Sequence, residues 1–190
     1  MKHEQAVLRL GESRGVRVAL NAALYQAGWF ACVLGAVHGH ASVGIVAAVA
    51  IIGWHLASAP QPGREAALIA LCAVAGALFE TLLVRGGWVR YDTAATFLDG
   101  AAPVWMIMLW AMFATTLNVS LRTLRDHLAL AALLGLVGGP LAYYGGVRLG
   151  AIAFPDVAAA LVAIGIGWAI LAPAVLCLAR RFDGFATALR

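Results

Sequence analysis

The chain has 190 residues, 63% hydrophobic and 12% charged, with a formal net charge of +4; an ordinary soluble domain is about 45–50% apolar and about 25% charged. That balance excludes a water-soluble globular protein. The 13 basic residues lie at the ends of apolar runs and not on one face, so the positive charge is not a nucleic-acid footprint.

A bilayer core about 30 Å thick needs about 20 mostly apolar residues per helix. Six runs approach that length: 18–37, 41–57, 66–84, 101–121, 128–145 and 157–179. They are continuous and rich in Ala, Leu and Gly, without the alternation of a membrane barrel strand. The expected fold is an all-α integral membrane protein, one transmembrane domain over residues 1–190, built as a six-transmembrane-helix bundle. With both termini cytoplasmic, the inner segments hold ten basic residues (Lys2, Arg9, Arg14, Arg17, Arg64, Arg122, Arg125, Arg180, Arg181, Arg190) and the outer segments three (Arg85, Arg90, Arg148). That split follows the tendency of Lys and Arg to stay in short cytoplasmic loops.

In the first run, Asn21, Tyr25 and Trp29 are spaced i, i+4, i+8 and share one helix face, with Gln26 beside them. The third run contains "CAVAGALFETLLV", in which Glu80 is the one acidic residue well inside a predicted helix. Counted from Ala66, Glu80 lies about 21 Å along at 1.5 Å per residue, so it is not a solvated helix end. An ionisable group at that depth is costly, faces the bundle interior by default and marks a site. The outer segment "RGGWVRYDTAATFLDG" follows, with Trp88 and Tyr91 placed as interfacial anchors and Asp99 near the next helix.

The fourth run contributes Trp105 and ends in "ATTLNVSL", where Thr115, Asn118 and Arg122 share a face. Together with Asn21, Tyr25, Gln26 and Trp29, Thr115 and Asn118 form an expected inner-half cluster, serving either as packing contacts between helices or as a polar ligand or headgroup site. In the fifth run, "GLVGGPLAYYGGVRLGA" sets Pro140 among glycines, which predicts a kink or break. Tyr143, Tyr144 and Arg148 follow at the depth of Glu80. The expected outer-half ligand cluster is therefore Glu80, Asp99, Trp105, Tyr143, Tyr144 and Arg148, with Glu80 contacting Arg148, Tyr143 or Tyr144. A structural ion pair or a neutral, hydrogen-bonded Glu80 is the alternative.

Glycine pairs at i and i+4 (Gly35/Gly39, Gly135/Gly139, Gly146/Gly150) predict close packing within the monomer. Cys32, Cys72 and Cys177 have no paired spacing, and the histidines no HExxH spacing, so no metal site is expected. No catalytic residue or cofactor is assigned.

"NAALYQAGWFACVLGAVHGH", "PVWMIMLWAMFATTLNVSL" and "GGPLAYYGGVRLGA" together resemble a family of small bacterial multi-pass inner-membrane proteins, domain of unknown function 2878. The resemblance covers nearly the whole chain and implies the bacterial inner membrane as its location. Asn21, Gln26, Trp29, Pro103, Trp105, Trp110, Asn118, Pro140 and Tyr143 match the family's pattern, while Val119 stands where that pattern has His, which weakens a metal or acid–base role for that corner. Family members look like genomic neighbours of fatty-acid-modifying methyltransferases and flavin-dependent oxidases, which implies modifying, presenting or moving lipids.

Three functional expectations follow. The first is a protein handling a lipid or acyl chain in an inter-helix cavity, accessory to fatty-acid modification. The second is a non-catalytic scaffold recruiting a peripheral lipid-modifying enzyme through its basic inner face. The third is a small proton- or ion-coupled transporter using Glu80. Membrane lipids are the expected partners throughout, and nucleic acid is not.

Overall fold

The computed structural model describes residues 2–91 and 100–186, with side chains described from Arg14 onward. Six α-helices are found among the described residues: α1 (Lys2–Val37), α2 (Ala41–Ser58), α3 (Pro62–Arg85), α4 (Val104–Leu117), α5 (Leu128–Leu149) and α6 (Val157–Arg181). A short 3-10 helix, Arg122–Asp126, joins α4 to α5. There are no strands among the described residues, only one antiparallel bridge between Arg90 and Ala153.

Five of these helices are long and apolar enough to cross a membrane: the Arg14–Val37 part of α1, then α2, α3, α5 and α6. Their flanks are turned inside out relative to a soluble protein. Val46, Leu78, Leu82, Leu141 and Ile170 are each more than 60% exposed, as expected for side chains whose solvent is hydrocarbon.

The fourth helix departs from expectation. The apolar run 101–121 predicts a full span, but α4 has 14 residues, about 21 Å, short of a 30 Å core. Pro103 sets its start as an extended N-cap. At the other end the backbone leaves helical register at Asn118, and the Leu121 amide turns back to the Thr116 carbonyl at 2.8 Å. Ten of its 14 residues are buried, because it packs against α1, α2, α3 and α6. A helix sheathed by others need not match the bilayer, and hydropathy alone does not tell lipid from protein surroundings.

Small residues set the closest approaches. A Cβ on Gly44 of α2 would lie 2.4 Å from the Cys32 Cα of α1, and one on Gly135 of α5 would lie 2.4 Å from the Trp168 carbonyl oxygen of α6. Gly135 and Gly139 thus form the packing face expected of an i, i+4 pair. Gly39 and Gly150 do not: their φ angles are +72° and +88°, so they close the α1–α2 turn and cap α5 in the left-handed conformation that glycine adopts without a Cβ penalty.

Of the kink or break expected at Pro140, the break is absent: α5 is one helix from Leu128 to Leu149. The ring removes the donor that would satisfy the Leu136 carbonyl. That carbonyl faces Gly165 of α6, where a Cβ would lie 3.2 Å from it, so close packing by α6 covers the freed group.

Gly44→Ala is expected to wedge α1 from α2 and cost about 1–3 kcal/mol, seen as a lower thermal midpoint in detergent. Gly53→Ala, where nothing lies within 4 Å, should leave the midpoint unchanged or raised. Equal midpoints for the two variants would disprove the packing argument.

Candidate functional site

Glu80 is fully buried on α3. Its Oε1 accepts the Trp110 indole N–H of α4 at 2.7 Å and the Tyr143 hydroxyl of α5. Its Oε2 accepts the Tyr91 hydroxyl at 2.5 Å, from the loop after α3. An indole N–H can only donate, and hydrogen bonds to a carboxylate are among the stronger kinds. No Lys, Arg or His pairs with Glu80 among the described residues.

Local sequence explains how these donors converge. Gly76, one turn before Glu80, leaves room for the Trp110 ring, since a Cβ there would lie 2.1 Å from its Cγ. Just before Tyr91, the Arg90 and Ala153 backbones exchange hydrogen bonds at 2.9 Å in both directions. Trp105, fully buried, meets the Tyr91 ring edge-on at 5.6 Å between centroids and 87° between planes. Burial, and then the carboxylate alongside, push the Tyr91 phenol well above the usual tyrosine range, so it keeps its proton.

Trp110 and Tyr143 also form part of a cavity wall. The cavity, about 280 Å³, lies between α1, α4, α5 and α6, with six aromatic side chains in its lining: Tyr25, Trp29, Trp110, Phe113, Tyr143 and Trp168. Trp110 and Trp168 stack at 4.7 Å and 18°. Trp168 also faces the Tyr143 hydroxyl, yet its buried indole nitrogen has no hydrogen-bond partner of good geometry among the described residues. Leu134, Gly138 and Ala142 line the cavity and are exposed. They lie midway along α5, so the cavity opens on the flank of the bundle.

A second buried carboxylate organises the opposite end. Glu65, near the start of α3, is fully buried. Its Oε2 lies 2.9 Å from His55 Nε2 of α2, and its Oε1 accepts the Asn118 side-chain amide and the Gly184 backbone N–H, each at 2.7 Å. Asn118 in turn accepts from Arg125 at 2.6 Å and donates to the Phe182 carbonyl at 3.0 Å. Arg122 and Arg125 both reach Asp183 at 3.0 Å. Burial works against the Asp183 charge, but hydrogen bonds from Arg125, the Phe185 amide and Arg122, with the attraction of Arg122, outweigh it and hold its carboxyl below the usual range. Every polar atom named here has a partner, which is the pattern of a structural lock.

One comparison places the chain. A family model described as Protein of unknown function (DUF2878) matches residues 18–174. The chain belongs to this family. No curated protein and no solved structure matches it. The matched stretch of this DUF2878 protein holds Glu80, Tyr91, Trp110, Tyr143 and Trp168, whereas Asp183 and Gly184 lie beyond it.

The two expected clusters are partly regrouped. Of the outer set, Tyr143 binds Glu80 and Trp105 supports it through Tyr91. Tyr144 is 43% exposed and Arg148 is exposed near the end of α5, so neither reaches the carboxylate. Asp99 lies outside the described residues. Of the inner set, the Asn21 amide donates to the Thr115 carbonyl at 3.1 Å and its oxygen accepts from Ser120 Oγ at 2.7 Å, fastening α1 to the end of α4. Asn118 belongs instead to the Glu65 lock. Tyr25 and Trp29 line the cavity, and Gln26 is exposed, because five residues from Asn21 is about 140° around the helix. Glu65, His55 and Asp183 are lock residues outside both expected clusters, and Trp110, noted only as a family-pattern position, and Tyr91, expected as an interfacial anchor, bind Glu80 instead.

No group of three or more His, Cys, Asp or Glu side chains that could hold a metal is present among the described residues.

Asp183 binds its proton less readily folded than unfolded, so its contribution is complete above the ordinary value of 3.8 and fades as the pH falls through the lower folded value. Asp183→Asn is therefore expected to cost about 1–3 kcal/mol near neutral pH and to flatten the loss of stability in acid. Thermal unfolding in detergent across that range would show this, and unchanged acid sensitivity in the variant would disprove it.

Proposed function

We propose that this DUF2878 protein holds a lipid or acyl-chain ligand in the cavity between α1, α4, α5 and α6. The observation that carries this reading is the cavity's setting: an almost wholly apolar, aromatic-rich wall, opening on the bundle flank where only hydrocarbon would surround it. Ligand cavities of about 300–1,000 Å³ suit small molecules, so about 280 Å³ fits one chain or a compact hydrophobic ligand and not a whole two-chain lipid. The scaffold alternative is less well supported, because Arg122 and Arg125 of the basic inner face are already engaged by Asp183.

The same reading places the chain in the bacterial inner membrane with six crossings and both termini cytoplasmic. It is supported by the ten-to-three division of basic residues and by α4 running antiparallel to α3: Ala102 lies by Thr81, whereas Asn118 lies by Glu65. Reporter fusions at Val89 and Leu124 should report the outer and the cytoplasmic side respectively. A cytoplasmic Val89 or an outer Leu124 would overturn the topology.

Native mass spectrometry in mild detergent should show a bound lipid-class adduct on the wild type. Gly138 lines the cavity and has nothing within 4 Å of its Cβ position, so Phe can be introduced there to occupy the cavity. Gly138→Phe is expected to lose the adduct by at least tenfold and keep the wild-type thermal midpoint. An adduct retained in the variant, or absent from the wild type, would reject the reading.

A further inference from the structure

We infer that the cavity selects hydrophobic cations, with Glu80 as the counter-charge that exchanges a proton for the bound ligand. The inference rests on the cavity reading above and adds the ligand's charge. Its first ground is the wall: six of the lining side chains are aromatic, and no Lys, Arg or His is among them. Aromatic faces attract cations, most strongly where water is excluded. A carboxylate or phosphate headgroup would meet no positive charge there, so anionic lipids are disfavoured.

The second ground is the carboxylate behind that wall. Glu80 Oε1 is bound by two wall residues, Trp110 and Tyr143, so its charge lies one side chain from the cavity. A buried ion with no partner of opposite sign is costly, and the cost is removed either by a proton or by a cation. Among the described residues, the groups facing Glu80 supply no cation: α4 presents Trp110, α5 presents Tyr143, α6 presents Trp168 through Tyr143, and the loop after α3 presents Tyr91. The two tyrosines are the only titratable groups among these.

The exchange balances without any other reactant. With the cavity empty, Glu80 carries a proton on Oε2 and donates that hydrogen bond to the Tyr91 oxygen, the reverse of the direction in the structure, since a phenol hydroxyl can donate or accept. When a cation enters, the Glu80 O–H bond breaks, the proton leaves to water by way of half-buried Tyr91, and the carboxylate takes three donors as the structure shows. One proton leaves for each positive charge that enters.

Binding of tetraphenylphosphonium to the protein in detergent, followed by isothermal titration calorimetry, tests this. Wild type should bind more tightly as the pH rises, by up to tenfold per unit while Glu80 still carries its proton, and should release about one proton per ligand, seen as heats that scale with the ionisation heat of the buffer. Glu80→Gln should lose at least tenfold in affinity and all proton release, and Gly138→Phe should not bind. Should Glu80→Gln fail to fold, the wild-type pH profile and proton count decide alone. Binding that is independent of pH and releases no proton would overturn the inference. So would no binding by a protein that still retains its adduct in mass spectrometry, with the cavity reading left standing. Loss of both the adduct and tetraphenylphosphonium binding would reject the two together.

Discussion

Burying the Glu80 carboxylate with no Lys or Arg paired to it among the described residues obliges the fold to bring hydrogen-bond donors to one point from three directions. An uncompensated charge there would cost more than most single contacts supply. Trp110 and Tyr143 therefore have to stand at fixed depths on α4 and α5, and Tyr91 has to turn inward from its loop. Gly76 clears space for one of these donors, and the Arg90–Ala153 bridge holds the chain beside another. The aromatic cavity wall is a by-product of the same demand, because two of the three donors are also wall residues.

At the other end the same problem is solved differently. Glu65 is as deeply buried as Glu80, but its partners include His55 and, through Asn118, the guanidinium of Arg125. Positive charge is built into that network, and the chain after α6 closes over it. The contrast between a carboxylate met only by neutral donors and one set in a mixed-charge lock separates the candidate site from the structural scaffold.

Much of this was legible in the sequence. Long apolar runs give α1, α2, α3, α5 and α6 because lipid contact and helix length both appear in composition. Glu80 stands out because charge in such a run is expensive, and Tyr143 because it lies at the same depth. The length of α4 was not legible, since burial against protein and burial in lipid select the same side chains. Trp110 and Tyr91 stand out in the sequence only as a family-pattern position and an interfacial anchor, because an aromatic residue in a membrane protein is equally at home in a core, at an interface or on a carboxylate. Glu65 and Asp183 lie at the ends of apolar runs close to Arg64 and Arg181, where sequence does not tell a solvated carboxylate from one that folding draws inward. Arg148 lies five residues beyond Tyr143, exposed in the last turn of α5, and so misses the carboxylate.

Glu80 and Glu65 lie on one helix, and each is bonded to α4: one to Trp110, the other to Asn118. Two pins on a single pair of rods fix their axial register. Sliding α4 along α3 by even one residue, about 1.5 Å, would shear both sets of hydrogen bonds at once. The α3–α4 pair is thus held in register at both ends, which fixes the depth at which the Trp110 ring stands in the cavity wall.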